Sequence, residues 1–280
     1  MPTDRAESPR PDGSGQSGRS PYRFLVTPKW IAFHLLAIAL VVTMINLALW
    51  QLRRLDERRD FNARVRANAN QLVTDLADID LSTADPAAVE WRRVRLSGVY
   101  ADEYQFLVVN RSQNGETGRN VVNPLVLPDR SLILVNRGFV PIEDAVPAVP
   151  SGPVTIIGRL RTTEVRKTGQ PSDADTPGLT EIHRIDIPLL NGQFDTTLRP
   201  MYVEQLEAEP ADATTLQPIV PPSLDEGPHL SYTIQWFIFS ACVVVGWVLA
   251  VRRSLATRSG KAVRKRKSAY VPIADDESAR

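Results

Sequence analysis

The chain has 280 residues, of which 43% are hydrophobic, and its formal net charge at pH 7 is +1. A charge this close to zero provides no overall attraction to nucleic acid, so nucleic acid is not expected as a partner. The single cysteine, Cys242, excludes an intramolecular disulfide and any C-x-x-C metal or redox pair. Because the sequence also contains no P-loop, H-E-x-x-H or G-x-S-x-G motif, we do not expect an enzyme.

The beginning of the chain predicts a tail followed by a membrane-spanning helix. Residues 1–28 are rich in Pro, Gly, Ser and Arg, a composition typical of a disordered segment. Residues 30–50 carry no formal charge over 21 positions and are bracketed by Trp30 and Trp50. At 1.5 Å per residue such a run crosses a hydrocarbon core of about 30 Å, and tryptophans favour its two interfaces. We therefore predict a transmembrane helix over residues 29–52, acting as an uncleaved anchor.

The middle of the chain predicts a charged stalk and then a β-rich domain, which together span residues 53–228. Strong helix formers continue past Gln51, so the first helix is expected to extend beyond the membrane through residues 52–76. Short segments that alternate between apolar and polar residues follow, with Pro- and Gly-rich joints between them. Residues 165–180 and 209–228 are expected to be loops. The segments interpreted as strands are 91–100, 104–110, 120–127, 131–140, 154–161, 181–187 and 200–206.

A second uncharged run, residues 232–251, predicts another transmembrane helix over residues 229–251, followed by a basic cytoplasmic tail over 252–280. Eleven basic residues lie within about 16 residues of the two runs on their terminal sides, and six lie within the same distance after the first run. The positive-inside rule then places both termini in the cytoplasm, including the tail at residues 1–28. The expected fold class is a membrane protein with two transmembrane α-helices flanking an extracytoplasmic α+β, β-rich antiparallel domain. The expected location is the cell (plasma) membrane.

Polar side chains within or beside the two spans indicate a contact or a site, because polar groups are costly in lipid. Asn46, Gln51, His229 and Gln235 fall at a similar depth if both termini lie on the same side of the membrane. They are expected either to bond the two helices together or to receive a ligand. Aromatic residues near them complete the set of expected partner or helix–helix contacts. These aromatic residues are Trp50, Tyr232 and Trp236.

The segment VNRGFVP, Val135–Pro141, ends an apolar strand and contains two further candidate contact residues, Arg137 and Gly138. A glycine there permits close approach or an unusual backbone angle. The guanidinium of Arg137 can bind a carboxylate, such as a heme propionate, through two hydrogen bonds. The alternative is an ion pair within the domain. Both readings remain open from the residues alone.

Five motifs in order along the chain give a family resemblance. They are LALWQLRRL (47–55), GRNVVNPL (118–125), VNRGFVP (135–141), VTIIGRLR (154–161) and HLSYTIQWF (229–237). With the two-span layout, they make the chain resemble the Surf-one (surfeit locus protein one) family of cytochrome c oxidase assembly factors. The chain departs from the family pattern at Ala48, where the family has glycine, and at Phe139, where tryptophan is usual.

The resemblance implies an assembly factor for heme–copper cytochrome c oxidase, which assists heme a insertion into the catalytic subunit or stabilises that subunit. It implies that His229 binds heme a transiently. The implied partners are cytochrome c oxidase subunit one, other oxidase assembly factors and the lipid bilayer. The alternative reading is a structural scaffold of the oxidase that does not bind heme. A sensor is disfavoured because the charged C-terminal tail is too short for an output domain.

Overall fold

The computed structural model describes residues 22–174 and 176–258. The expected disorder of residues 1–21 and the expected basic tail at 259–280 lie outside these described residues. The described chain divides into two compact units. One contains the residues up to Leu55 and from Gly227 onward, and the other contains Asp56–Glu226. The helices are α1 (Pro28–Ala69), α2 (Pro86–Val89), α3 (Ile187–Leu190) and α4 (His229–Arg258).

The first unit consists mainly of the apolar part of α1 and of α4. Both helices are long and apolar enough to cross a membrane. Most side chains in their apolar stretches are exposed rather than buried in a protein core, as at Leu35 and Val245. An exposed apolar helix of this length requires an apolar surrounding. Length, composition and exposure together favour a membrane location for the two predicted spans.

The second unit is built on one eight-stranded sheet. In chain order its strands are β1 (Thr74–Asp75), β2 (Arg93–Tyr100), β3 (Phe106–Gln113), β4 (Glu116–Val126), β5 (Leu132–Pro141), β6 (Pro153–Thr162), β7 (Glu181–Ile182) and β8 (Met201–Glu209). The strand order in the sheet is β1-β2-β6-β8-β5-β4-β3-β7. Each predicted strand overlaps an observed one, because alternation of apolar residues marks a half-buried strand.

The prediction of an antiparallel sheet was only partly right, since the sheet is mixed. The pairs β2–β4, β2–β6, β3–β4, β4–β5 and β6–β8 are antiparallel. The pairs β1–β2, β3–β7 and β5–β8 are parallel. The chain leaves β6, passes through α3 and returns as β8 between β5 and β6. A long connection of this kind allows the parallel pairing with β5 that a tight hairpin would exclude.

The pairing of β2 with β4 closes five strands, β2, β6, β8, β5 and β4, into a ring. Gly98 permits this closure, because a Cβ at its position would lie 2.3 Å from the carbonyl oxygen of Val126. One face of the ring packs an aliphatic core that includes Ile133, Val135 and Val203. Side chains from the other face pack with residues of α3 in a second core that includes Tyr202. The sheet therefore has a buried layer on each face.

The predicted strand over residues 181–187 was wrong beyond Ile182. The chain leaves the strand there, and α3 begins at Ile187. Asp186 is the N-cap of this helix, and its Oδ1 accepts a hydrogen bond from the Leu189 N–H at 3.4 Å. Proline in the first turn of α3 has no N–H to satisfy, so it suits a helix start. The apolar residues of this segment contribute to the second core although they do not form a strand.

The charged stalk is confirmed as helix up to Ala69. It does not continue to residue 76 as predicted, because the chain has left the helix and formed β1 at Thr74–Asp75. Its buried asparagines bond to the backbone of later segments. Asn68 Nδ2 donates to the carbonyl oxygens of Ala88 at 2.9 Å and Glu90 at 2.8 Å. Asn62 Nδ2 donates to the Leu224 carbonyl oxygen at 2.7 Å. The Asn68 bonds hold the stalk to the backbone around the end of α2, and the Asn62 bond holds it to the segment that precedes α4.

Candidate functional site

His229 and Gln51 are brought together in the first unit. His229 is the first residue of α4 and is half-buried. Its Nδ1 lies 2.8 Å from Oε1 of Gln51 in α1. An amide oxygen only accepts hydrogen bonds, so Nδ1 carries a proton and donates it, and in the neutral ring Nε2 keeps its lone pair. This is the arrangement in which a histidine offers Nε2 to a metal while a neighbouring oxygen fixes the ring.

The other predicted members of the polar cluster do not join this pair. Asn46 is exposed, and its Nδ2 donates to the carbonyl oxygen of Val42 in its own helix at 2.8 Å. Gln235 is exposed on α4. Trp50 and Tyr232 are also exposed, whereas Trp236 packs edge-to-face on Phe239 with ring centroids 5.9 Å apart. Their exposed side chains remain available to a neighbouring molecule.

His34, the other histidine in this unit, has the opposite tautomer. Trp247 Nε1–H donates to His34 Nδ1 at 2.8 Å, so the proton of a neutral His34 ring lies on Nε2. The ring centroid of His34 lies 5.7 Å from the centroids of both Trp30 and Trp247. The lone pair of His34 is therefore already used in an interhelix hydrogen bond.

Arg137 lies in the second unit and forms the internal ion pair that the sequence left open as an alternative. Its side chain has 0% exposure. Nε and Nη2 donate to the two carboxylate oxygens of Asp212 at 2.8 and 2.6 Å. The remaining N–H groups bond to Asn123 Oδ1 and to the carbonyl oxygens of Pro147 and Ala148. All five N–H groups are used, so none is left for an external carboxylate.

Gly138 lies close to the backbone of a later chain segment. Its φ is +153°, and a Cβ there would lie 2.7 Å from the carbonyl oxygen of Gln217. Phe139 exchanges two backbone hydrogen bonds with Gln217, each 2.8 Å long. The register shift between β4 and β5 leaves Arg137 as an extra residue in β5. This bulge and the glycine together turn the Arg137 side chain toward Asp212 and bring the segment around Gln217 onto the end of the strand.

The ion pair with Arg137 makes the stability of this unit depend on pH. Burial by itself would raise the pKa of Asp212, but hydrogen bonds and charge from Arg137 hold that pKa below its usual value. A lowered pKa contributes stability at pH values above the unfolded-state pKa of about 3.9, and this contribution is lost as pH falls through the folded-state pKa.

We expect Asp212→Asn to lower the free energy of unfolding at pH 7 by about 1.5–3 kcal/mol, because a charge-assisted pair is replaced by a neutral acceptor. The variant should also lose less stability than the wild type as the pH falls below about 4, since it has no carboxylate to protonate at this position. Urea unfolding of the detergent-solubilised chain between pH 7 and pH 2.5 measures both effects. Equal acid dependence of the two proteins would contradict the assignment.

A second charged cluster lies on the sheet and was not predicted. Glu204 of β8 bonds to Arg159 and Arg161 of β6, and Arg161 also bonds to Glu90. The guanidinium of Arg161 stacks 3.8 Å above the ring of Trp91, whose φ is +73°. The available signal was a glutamate at position 204 in the middle of an apolar strand, because a charge there needs a partner. Among the described residues, no group of three His, Cys, Asp or Glu side chains could hold a metal ion.

Comparison with known proteins gives a family. The SURF1 family model matches residues 38–241. An uncharacterized SURF1-like protein of Mycobacterium tuberculosis is 31% identical over 234 residues, covering 80% of this chain and 83% of the relative. A SURF1-like protein of Monosiga brevicollis is 27% identical over 80% of this chain and 88% of its own length. Surfeit locus protein 1 of Takifugu rubripes is 28% identical over 47% of this chain and 62% of the relative. The family model spans both the apolar helices and the sheet domain, and the chain belongs to the SURF1 family.

Proposed function

We propose that this protein assists the assembly of a heme–copper cytochrome c oxidase, and that it holds heme a at His229 before the catalytic subunit receives it. Membership of the SURF1 family supports the general role in oxidase assembly. The hydrogen bond between His229 Nδ1 and Gln51 Oε1 is the observation that supports the heme site. In the neutral ring this bond would leave Nε2 as the nitrogen donor that could hold heme iron.

A single histidine ligand, His229, fits a cargo that must later be released. Heme a is the cargo here and takes no part in a reaction on this chain. Gln51 acts as a positioning residue, because its carbonyl oxygen fixes the tautomer and the ring orientation of His229. His34 cannot act as a second ligand without breaking its bond to Trp247. With His229 as the single protein ligand, release to the receiving subunit would require breaking one bond from this chain.

The same proposal places α1 and α4 against other membrane proteins, with cytochrome c oxidase subunit one as the main partner and other assembly factors beside it. Asn46 and Gln235 support this placement, because both are exposed polar side chains in apolar helices. In lipid such groups are stabilised by hydrogen bonds to a neighbouring helix. The location is the plasma membrane, with both termini in the cytoplasm and the sheet domain outside.

A pair of variants at Gln51 tests the heme site. Gln51→Leu removes the acceptor for His229 Nδ1–H, and we expect it to lower heme a affinity by roughly 10–100-fold, as for other partners of metal-binding histidines. Gln51→Glu keeps an acceptor oxygen at this position and should retain binding. The measurement is a heme a titration of the full-length protein in detergent, followed by its absorption spectrum.

The outcome distinguishes a positioning role from a merely structural one. If Gln51→Glu loses heme a as fully as Gln51→Leu, the hydrogen bond to His229 is not what holds the site. If the wild-type protein binds no heme a but still co-purifies with oxidase subunits, the carrier proposal fails. The chain would then be a scaffold that guides assembly without holding the cofactor.

A further inference from the structure

A cavity of about 530 Å³ lies in the sheet unit and has no role in the proposed heme site. It is lined by Asn136 of β5, by Tyr202 and Glu204 of β8, and by Trp91 and Phe61. Ile219 and Val220, from the segment that follows the sheet, line it as well. A volume of this size accommodates a small ligand or a few residues of a peptide.

The charges that surround this cavity cancel. The cavity is lined by two arginines, Arg111 and Arg161, and by three carboxylates, Glu90, Glu164 and Glu204. Arg159 supplies the third positive charge through its bond to Glu204. Each carboxylate is already paired, as in the 2.6 Å bond between Arg111 Nη2 and Glu164 Oε2. A balanced, internally paired lining favours an uncharged ligand, because neither an anion nor a cation finds an unpaired counter-charge.

Two residues of this cavity lining carry a buried polar atom without a hydrogen-bond partner among the described residues: Arg111, at Nε, and the more deeply buried Asn136. Asn136 is 1% exposed, and its Oδ1 has no hydrogen-bond partner among the described residues. A buried carbonyl oxygen without a donor costs free energy in the folded protein. Phe139 is 1% exposed, whereas Val220 of the same lining is 52% exposed and offers an apolar surface. The missing partner of Asn136 is therefore an N–H or O–H donor that arrives beside apolar surface.

At the rim of the cavity, the side-chain amide of Gln113 binds the backbone of another segment. Gln113 Nε2 donates to the Pro218 carbonyl oxygen at 3.1 Å, and Gln113 Oε1 accepts from the Val220 N–H at 3.2 Å. One side-chain amide thus holds an extended stretch of backbone through a donor and an acceptor. Asn68 also bonds to backbone, through the two carbonyl oxygens on either side of Val89. Asn136 has the same amide group but lacks such a backbone partner for its oxygen.

We propose that this cavity binds an extended segment of a partner polypeptide. A backbone N–H of the segment donates to Asn136 Oδ1, and an adjacent apolar side chain packs against Trp91 and Val220. Recognition of extended backbone with a pocket for one side chain is a common mode of peptide binding. The inference depends on the cavity alone and stands independently of heme binding at His229.

The test uses N-acetyl-leucine N-methylamide as a minimal peptide and the full-length chain labelled with 5-fluorotryptophan in detergent. The Trp91 resonance is assigned in the ¹⁹F NMR spectrum with Trp91→Phe. We expect a saturable shift of this resonance in the wild type. In Asn136→Leu the affinity should be lower by about tenfold or more. Asn114→Gly, at the rim, keeps the left-handed backbone of that residue and should bind as the wild type does.

A second ligand keeps the test decisive if Asn136→Leu does not fold. The fully N-methylated analogue of the same compound has no N–H and should not shift the Trp91 resonance of the wild type. Equal binding of the two compounds would overturn the proposal, as would unchanged affinity in a folded Asn136→Leu protein. A shift that rises linearly with ligand concentration, without saturation, would also overturn the proposal, since nonspecific contact gives such a response.

Discussion

We expect His229→Ala to abolish heme a binding by the purified protein and to reduce the heme a content of the oxidase in cells that depend on this chain. The substitution removes the nitrogen that is proposed to bind the iron. Loss of the ligand itself should therefore exceed the roughly 10–100-fold effect expected for its supporting residue. Absorption spectra of the purified protein, and of membranes from the same cells, measure the two effects.

His34→Ala is the matched control for this experiment. His34 is also a histidine of the apolar helices, but its Nδ1 is already bonded to Trp247. The control should keep its heme a band, even if the contact between the helices weakens. Retention of heme a in His229→Ala, with the protein present at normal levels, would contradict the proposed ligand. Loss of oxidase with no heme a in either protein would favour the scaffold reading.

We expect Arg137→Met to destabilise the sheet domain by about 3–5 kcal/mol. The variant removes a guanidinium with 0% exposure and leaves the carboxylate of Asp212 without its counter-charge. Breaking a buried ion pair on one side has this cost because the remaining charge stays desolvated. The substitution also removes donors from Asn123 and from two backbone carbonyl oxygens. Urea unfolding of the full chain, followed by hydrogen exchange of the sheet amides, measures the loss.

Arg95→Met is the control for this prediction. Arg95 pairs with Asp75 at 3.5 Å, and the two side chains are 51% and 59% exposed. An exposed pair of this kind contributes at most about 1 kcal/mol, so the control should unfold close to the wild type. If Arg137→Met were as stable as Arg95→Met, the Arg137 network would not be a main support of the strand end. Asp212 would then have to be solvated in the variant.

Much of the fold could be predicted because the relevant patterns are local. A run of uncharged residues specifies a membrane-spanning helix within one stretch of sequence. Alternating residues in segments such as 154–161 identify a strand, and β6 forms at that place. The parallel pairing of β5 with β8 could not be predicted, because it joins residues about 70 positions apart through a long connection. The N-cap of α3 was missed because Asp186 lies inside an otherwise strand-like pattern.

The candidate site divides in a similar way. Gln51 and His229 could be placed at the same depth from helix length alone, and they do form a hydrogen bond. Length does not specify rotation about a helix axis, so the bond of Asn46 to its own helix and the exposure of Gln235 could not be predicted. Asn136 was overlooked although it stands next to Arg137 in a recognised motif. Its unsatisfied oxygen becomes visible only when the surrounding strands are in place.

The position of β8 has a consequence for how the protein is made. β8 is the last strand among the described residues, yet it lies between β5 and β6 in the middle of the sheet order. β8 will cover one edge of β5 and one edge of β6. Until residue 209 has left the ribosome, those two edges remain unpaired and open to other strands. At about 5–20 residues per second, synthesis needs only about 1–4 s to pass from the end of β8 to the start of α4. The sheet is thus completed late in translation, immediately before the second apolar helix is presented for insertion.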